Sequence, residues 1–146
     1  MPSSDRRPDP TSAEVEQFHD SLQRCTAGGR FYDRFYERFV AADPRIPALF
    51  KRTDMARQQR MLHHSFLLIM TLHLRDPDID AQMRDVAHRH DGMGITEDLF
   101  DVWLEELLGA VAECDPRFDA AVNTAWRAVL GRGIGFVHAH VGPTEP

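Results

Sequence analysis

Histidine is the side chain best suited to ligate a metal or move a proton near neutral pH, and this chain has eight in 146 residues. Placed on a helical period of about 3.6 residues, most of them leave the apolar faces. His63 and His64 stand about 100° and 200° round from Leu62, at the edge and back of an apolar stripe, and His88 stands about 200° from His90. His19 follows Phe18 on the outer side of its helix, His73 falls where a long helix runs out, and His138 and His140 fall at a fraying end. His90 differs. Met83, Val86, Ala87 and His90 recur at i, i+3, i+4 and i+7, so an imidazole closes an inward face just before the break Asp91-Gly92-Met93-Gly94. Periodicity alone favours a core histidine bonded to a backbone carbonyl.

The remaining ligand types narrow the chemistry. Cys25 and Cys114 lie far apart, without a Cys-x-x-Cys, on apolar helical positions where a free thiol acts as a small hydrophobe. Neither a disulfide framework nor a zinc site follows. There is no Cys/His quartet, and no carboxylate-rich face with the paired spacing of a di-iron bundle. A lone inward imidazole without protein co-ligands suits a metal whose other positions a macrocycle supplies. Haem iron is such a metal: a proximal histidine takes the fifth position and the sixth is left for a gas.

The elements that must position these residues read as all-α. Thr11-Ser12-Ala13-Glu14 is a capping box opening a first helix with Val15, Phe18, Leu22 and Cys25 on one face, ended by Gly28-Gly29. A second helix, about 30–42, is rich in aromatics and closes at Asp43-Pro44. A short turn over 44–50 reaches Phe50. From Asp54 to about His73, Met55, Gln58, Leu62, Phe66 and Ile69 or Met70 form one inward stripe. After a polar stretch, Arg75 to Asp80, comes the shorter helix ending in His90. Thr96 caps a helix bearing Phe100, Trp103, Leu107, Val111 and Cys114, and Asp115-Pro116 leads into a last helix carrying Phe118, Val122, Trp126, Val129, Gly133 and Phe136. Gly131, Gly133 and Gly135 in that helix imply a close neighbour or a kink.

Composition bounds the function. Hydrophobic residues at 42% and charged residues at 27% describe an ordinary globular chain, with a domain over 11–141 between tails at 1–10 and 142–146. Net charge is −6 and the 17 basic residues are scattered, which argues against nucleic acid. The apolar run Phe66-Leu67-Leu68-Ile69-Met70 is far short of the roughly 20 residues needed to span a bilayer. The N-terminus lacks an apolar signal region, so no membrane partner and a cytoplasmic location are expected.

The order and spacing of several segments resemble a bacterial single-domain globin, similar to the haem domain of flavohaemoglobins. They are Phe35-Tyr36-Glu37-Arg38-Phe39, Asp43-Pro44-Arg45-Ile46-Pro47-Ala48-Leu49-Phe50, Thr53-Asp54-Met55 with Gln58 and Met61-Leu62, Val86-Ala87-His88-Arg89-His90 with Gly94-Ile95, and Asp115-Pro116 with Ala125-Trp126. The resemblance implies six to eight helices around a pocket for haem b, with His90 on the iron. It implies that Phe50, six residues past Pro44, wedges the haem and that Tyr36, fourteen residues before Phe50, is the distal tyrosine. Tyr32 is the competing tyrosine. Gln58 and Leu62, 32 and 28 residues before His90, match the family's distal Gln-x-x-x-Leu. The stretch from Phe50 to Gln58 is two residues shorter than in flavohaemoglobins, which leaves Gln59 and His63 as alternatives, the latter as a second axial histidine. Arg89 would pair with a haem propionate, whereas His88 reads as solvated.

Two departures matter. Phe100 stands where flavohaemoglobins place a proximal tyrosine, and Gly142-Pro143 interrupts the last helix where a glutamate is expected. Those two groups make the ligand histidine more electron-donating and favour oxygen–oxygen bond chemistry. No flavin or nicotinamide domain accompanies the segment, so any turnover would need an external reductase. The reading is therefore reversible binding of oxygen, NO or CO. Two alternatives stand beside it, a nitric oxide dioxygenase or peroxidase and a haemless globin-like interaction module in which His90 is only a core residue.

Overall fold

Capping and proline placement set the helix boundaries. In the computed structural model, which describes residues 8–91, 93 and 95–140, the order is α1 (Ser12–Ala27), α2 (Phe31–Ala42), α3 (Ile46–Leu49), α4 (Met55–Met70), a 3-10 turn (Leu72–Leu74), α5 (Pro77–His88), α6 (Glu97–Cys114) and α7 (Ala120–His140). These seven α-helices, with no strand among the described residues, agree with the all-α reading. Thr11 forms the expected reciprocal box: Glu14 N–H donates to its hydroxyl at 3.1 Å and its own N–H donates to Glu14 Oε1 at 2.9 Å. Asp54 and Asp76 cap α4 and α5 through backbone N–H groups.

Several local expectations change. The polar stretch 75–80 is largely helical, because Asp76 caps and Pro77 takes the first helical position, where its missing N–H costs nothing. The helix expected to run to His73 ends at Met70 and tightens into the 3-10 turn, closed by Arg75 in the left-handed region at φ 58°. Thr96 sits at the N-cap of α6, but its hydroxyl bonds the Asp98 carboxylate instead of a helix N–H. Phe118 precedes α7 and packs against the core from the loop. Asp9, read as part of a loose tail, accepts from Arg132 at 3.0 Å and from Arg75 at 3.2 Å.

The core is aromatic at the crossing of α1, α2, α4 and α7. Phe18, Phe31, Phe66 and Trp126 are essentially sealed from water. Trp126 lies 4.5 Å from Phe18 and 5.8 Å from Phe66, ring centre to ring centre. Burying each such ring stabilises by about 1.5–3 kcal/mol, and favourable ring pairs add roughly 0.5–1.5 kcal/mol. At Gly133 a Cβ would come 2.6 Å from Ile69 Cδ1, so glycine is what lets α7 approach α4.

One polar cluster is built into this apolar end. Asp115, 3% exposed, accepts from Ser21 Oγ at 2.6 Å and from Arg24 at 2.6 and 2.9 Å, while Trp126 Nε1 donates to Ser21 Oγ at 2.9 Å. Arg117 N–H donates to the same carboxylate at 2.8 Å. The Asp115-Pro116 turn thereby ties α1 to α7.

Candidate functional site

At the opposite end, α2, α4, α5, α6 and α7 enclose a cavity of about 260 Å³. Its walls are mostly apolar, with Met83, Leu99, Trp103, Leu130 and Ile134 among them. All six residues nominated from the sequence line it: Tyr36 from α2, Phe50 just past α3, Gln58 and Leu62 from α4, and Arg89 and His90 just past α5.

His90 is not the last residue of the helix, as its periodicity suggests, because α5 stops at His88 and Arg89 is its C-cap. The chain keeps a helical turn nonetheless: His90 N–H donates to Ala87 O at 3.0 Å. The ring therefore reaches back over α5, and Nδ1 lies 2.8 Å from Val86 O. A carbonyl only accepts, so Nδ1 carries the proton and Nε2 keeps its lone pair. Burial lowers the pKa of His90, against a smaller opposing effect of the Val86 carbonyl, and this favours the neutral ring that a metal requires. Among the described residues no group of three or more His, Cys, Asp or Glu is placed to hold a metal ion. The donor set at His90 fits a metal that brings its own in-plane ligands.

The other polar groups of the cavity are a tyrosine and a glutamine. Tyr36 is 6% exposed and packs edge-on against Phe50 at 5.6 Å. Burial pushes its hydroxyl up to about 12, and a hydrogen bond with Gln58 offsets only part of that. The phenol stays protonated at neutral pH and able to donate. Of the alternatives, Gln59 donates to Asp33 at 2.7 Å, and Tyr32 and His63 bond one another, so none of the three lines the cavity. Gln58 is the one of the three distal candidates that lines it.

Below His90 the wall is Phe100, with ring centres 5.8 Å apart. Behind Phe100 lies a residue that sequence reasoning missed. His138 meets that ring edge-on at 4.8 Å, and its Nε2 is buried without a hydrogen-bond partner among the described residues. His138 and His140 do not fray: α7 continues through both, and His140 stacks on Phe136 at 4.0 Å. The available signal was the apolar run from Ile134 to Val137, which carries the inward face to the helix end. Gly142-Pro143 lies outside the described residues. His19, His64 and His88 are exposed, and His73 lies in the 3-10 turn.

The sequence matches the family model described as Globin over residues 33–135. The chain belongs to the globin family. A crystal structure of a Pseudomonas aeruginosa protein, described as structurally highly homologous to a human hemoglobin, is similar to it at 34% identity. That match has a TM-score of 0.81 and covers 88% of this chain and 98% of that one. No curated protein sequence matches it. The described residues of this globin thus form seven α-helices, five of which enclose the cavity. No helix among its described residues is long and apolar enough to cross a membrane.

Proposed function

We propose that this globin holds haem b through His90 Nε2 and reversibly binds oxygen, or another diatomic gas such as NO or CO. The observation that carries the reading is one apolar cavity holding both an imidazole locked by Val86 O into the metal-ready tautomer and a protonated, buried phenol. When bound, the haem would supply the iron that takes up the gas, with His90 the residue that would hold it.

The chain's own residues do the rest. Val86 O holds the proton on Nδ1 and orients the ring. Leu62 and Phe50 exclude water, and Arg89 offers its guanidinium to a haem carboxylate. Tyr36, steadied by Gln58, donates a hydrogen bond to the bound gas. Phe100 beside His90 has no polar atom with which to raise the ligand's basicity, which favours reversible binding over bond-breaking chemistry.

The test is an optical spectrum of the purified chain, reconstituted with haem, in ferric, ferrous and ferrous-CO forms. A Soret band that shifts on reduction and on CO addition is expected. A protein that stays colourless after haem addition would refute the reading and leave a haemless interaction module.

A further inference from the structure

Eight of the fifteen basic side chains among the described residues are ion-paired. Arg24 bonds Asp115, Arg34 and Arg38 bond Glu113, Arg45 bonds Asp43 and Asp98, Arg84 bonds Asp80 and Arg127 bonds Glu105. In an acidic chain that is the expected outcome of carboxylate excess. Arg57, Arg60 and Arg89 are unpaired like Arg30, Lys51, Arg52 and Arg117, but differ from those four in lining one groove. None has an ion-pair partner among the described residues, and all three converge on one groove of about 380 Å³ between α4 and α5.

The groove also holds His64, which bonds Gln82 at 3.2 Å, and Asp85, the one carboxylate of its lining. Three guanidiniums against one carboxylate leave a net positive site in a molecule whose net charge is −6. Holding like charges together is unfavourable without a counterion, and the guanidinium fork matches the oxygens of a phosphate group. The space suits a small molecule and not a protein surface.

We propose that this groove is a binding site for a small polyvalent phosphate-type anion, adjoining the gas pocket and resting chiefly on Arg57 and Arg60, which the haem reading does not use. Arg57 and Arg60 lie outside the gas cavity, whereas Arg89 lines both. Met61, Ser65 and Val86 also line both, and the Val86 carbonyl accepts the hydrogen bond from His90 Nδ1, so an occupant sits beside the group that orients that ring.

The experiment is calorimetric titration of the full chain with inorganic pyrophosphate, haem-free and haem-loaded, at fixed ionic strength. Saturable binding to both forms is expected. Arg57→Gln with Arg60→Gln should weaken it by about tenfold or more, since both contacts are charge-assisted. Arg30→Gln with Arg117→Gln, which removes the same charge from unpaired, exposed arginines outside the groove, should change it by less than about twofold. No saturable binding, or equal weakening in both double variants, overturns the proposal. So does binding confined to the haem-free form, which would assign the groove to the carboxylates of haem itself. Circular dichroism of each variant separates loss of binding from loss of fold.

Discussion

The two ends of this globin treat buried polar groups in opposite ways. At the Trp126 end, Asp115, Ser21, Arg24 and the indole N–H are each spent on one another, and the space between them is filled. At the His90 end, Val86 takes one nitrogen of the imidazole, Gln58 engages Tyr36, and a cavity remains between them. A closed network fixes a helix crossing. An unfinished one in an apolar cavity is a site that a ligand can complete, because its groups have been desolvated but not fully partnered.

Breaking each end separately should give different symptoms. His90→Ala should produce the largest effect, loss of nearly all Soret absorbance from protein purified after haem addition, while the haem-free fold melts close to the unsubstituted protein. Retained pigment would remove His90 from the iron. Asp115→Ala should do the reverse. It strands Arg24 and Ser21 and should cost about 3 kcal/mol in urea unfolding, toward the low end for a broken buried pair because Arg24 keeps some contact with water. A change below about 0.5 kcal/mol would mean the cluster adds no more than an ordinary surface site.

Acid should probe the same end. Burial alone would raise the pKa of Asp115, but hydrogen bonds from Arg24, Ser21 and the Arg117 backbone outweigh it and hold the carboxyl below its usual value. A depressed folded-state pKa contributes stability above the unfolded value, near 3.9, that is lost as pH falls through the lower folded value. Stability should therefore decline below about pH 4 more steeply in the unsubstituted protein than in Asp115→Asn, as followed by urea midpoints. Parallel declines would show that other carboxylates dominate.

Smaller changes sharpen the contrast. Tyr36→Phe should speed oxygen dissociation by about tenfold if its hydrogen bond is worth roughly 1.4 kcal/mol, with little change in melting. An unaltered off-rate in stopped-flow displacement would relieve Tyr36 of any distal role. Gly29→Ala lies at neither end and tests backbone alone. Gly29 has φ 75° and open space around it, so alanine should cost about 1 kcal/mol and leave the spectrum as it was. A cost near zero would mean the turn relaxes.

Much of the site was legible because each residue is locked to a helical phase. Three- and four-residue spacing put Gln58, Leu62 and His90 on inward faces, and the Asp-Pro break after α2 set the turn that delivers Phe50. Choices between neighbours were not legible. That Gln58 and not Gln59, and Tyr36 and not Tyr32, lines the cavity depends on partners from another helix: Asp33 draws Gln59 away, and Tyr32 and His63 satisfy one another. His138 was lost for a similar reason, since a helix end is judged frayed by its sequence and ordered by what it packs against, here Phe100.

Local sequence thus determined the helices, their caps and their apolar faces, because period, proline and capping chemistry act within a few residues along the chain. Tertiary structure decided which polar groups are finished and which are left open. Asp115 meets Ser21 and Arg24 from 94 and 91 residues away, and Gly133 admits Ile69 across α4 and α7. Whether a buried hydrogen-bonding group finds a partner depends on which chains the fold brings within about 3 Å of it, and no neighbour in sequence carries that information.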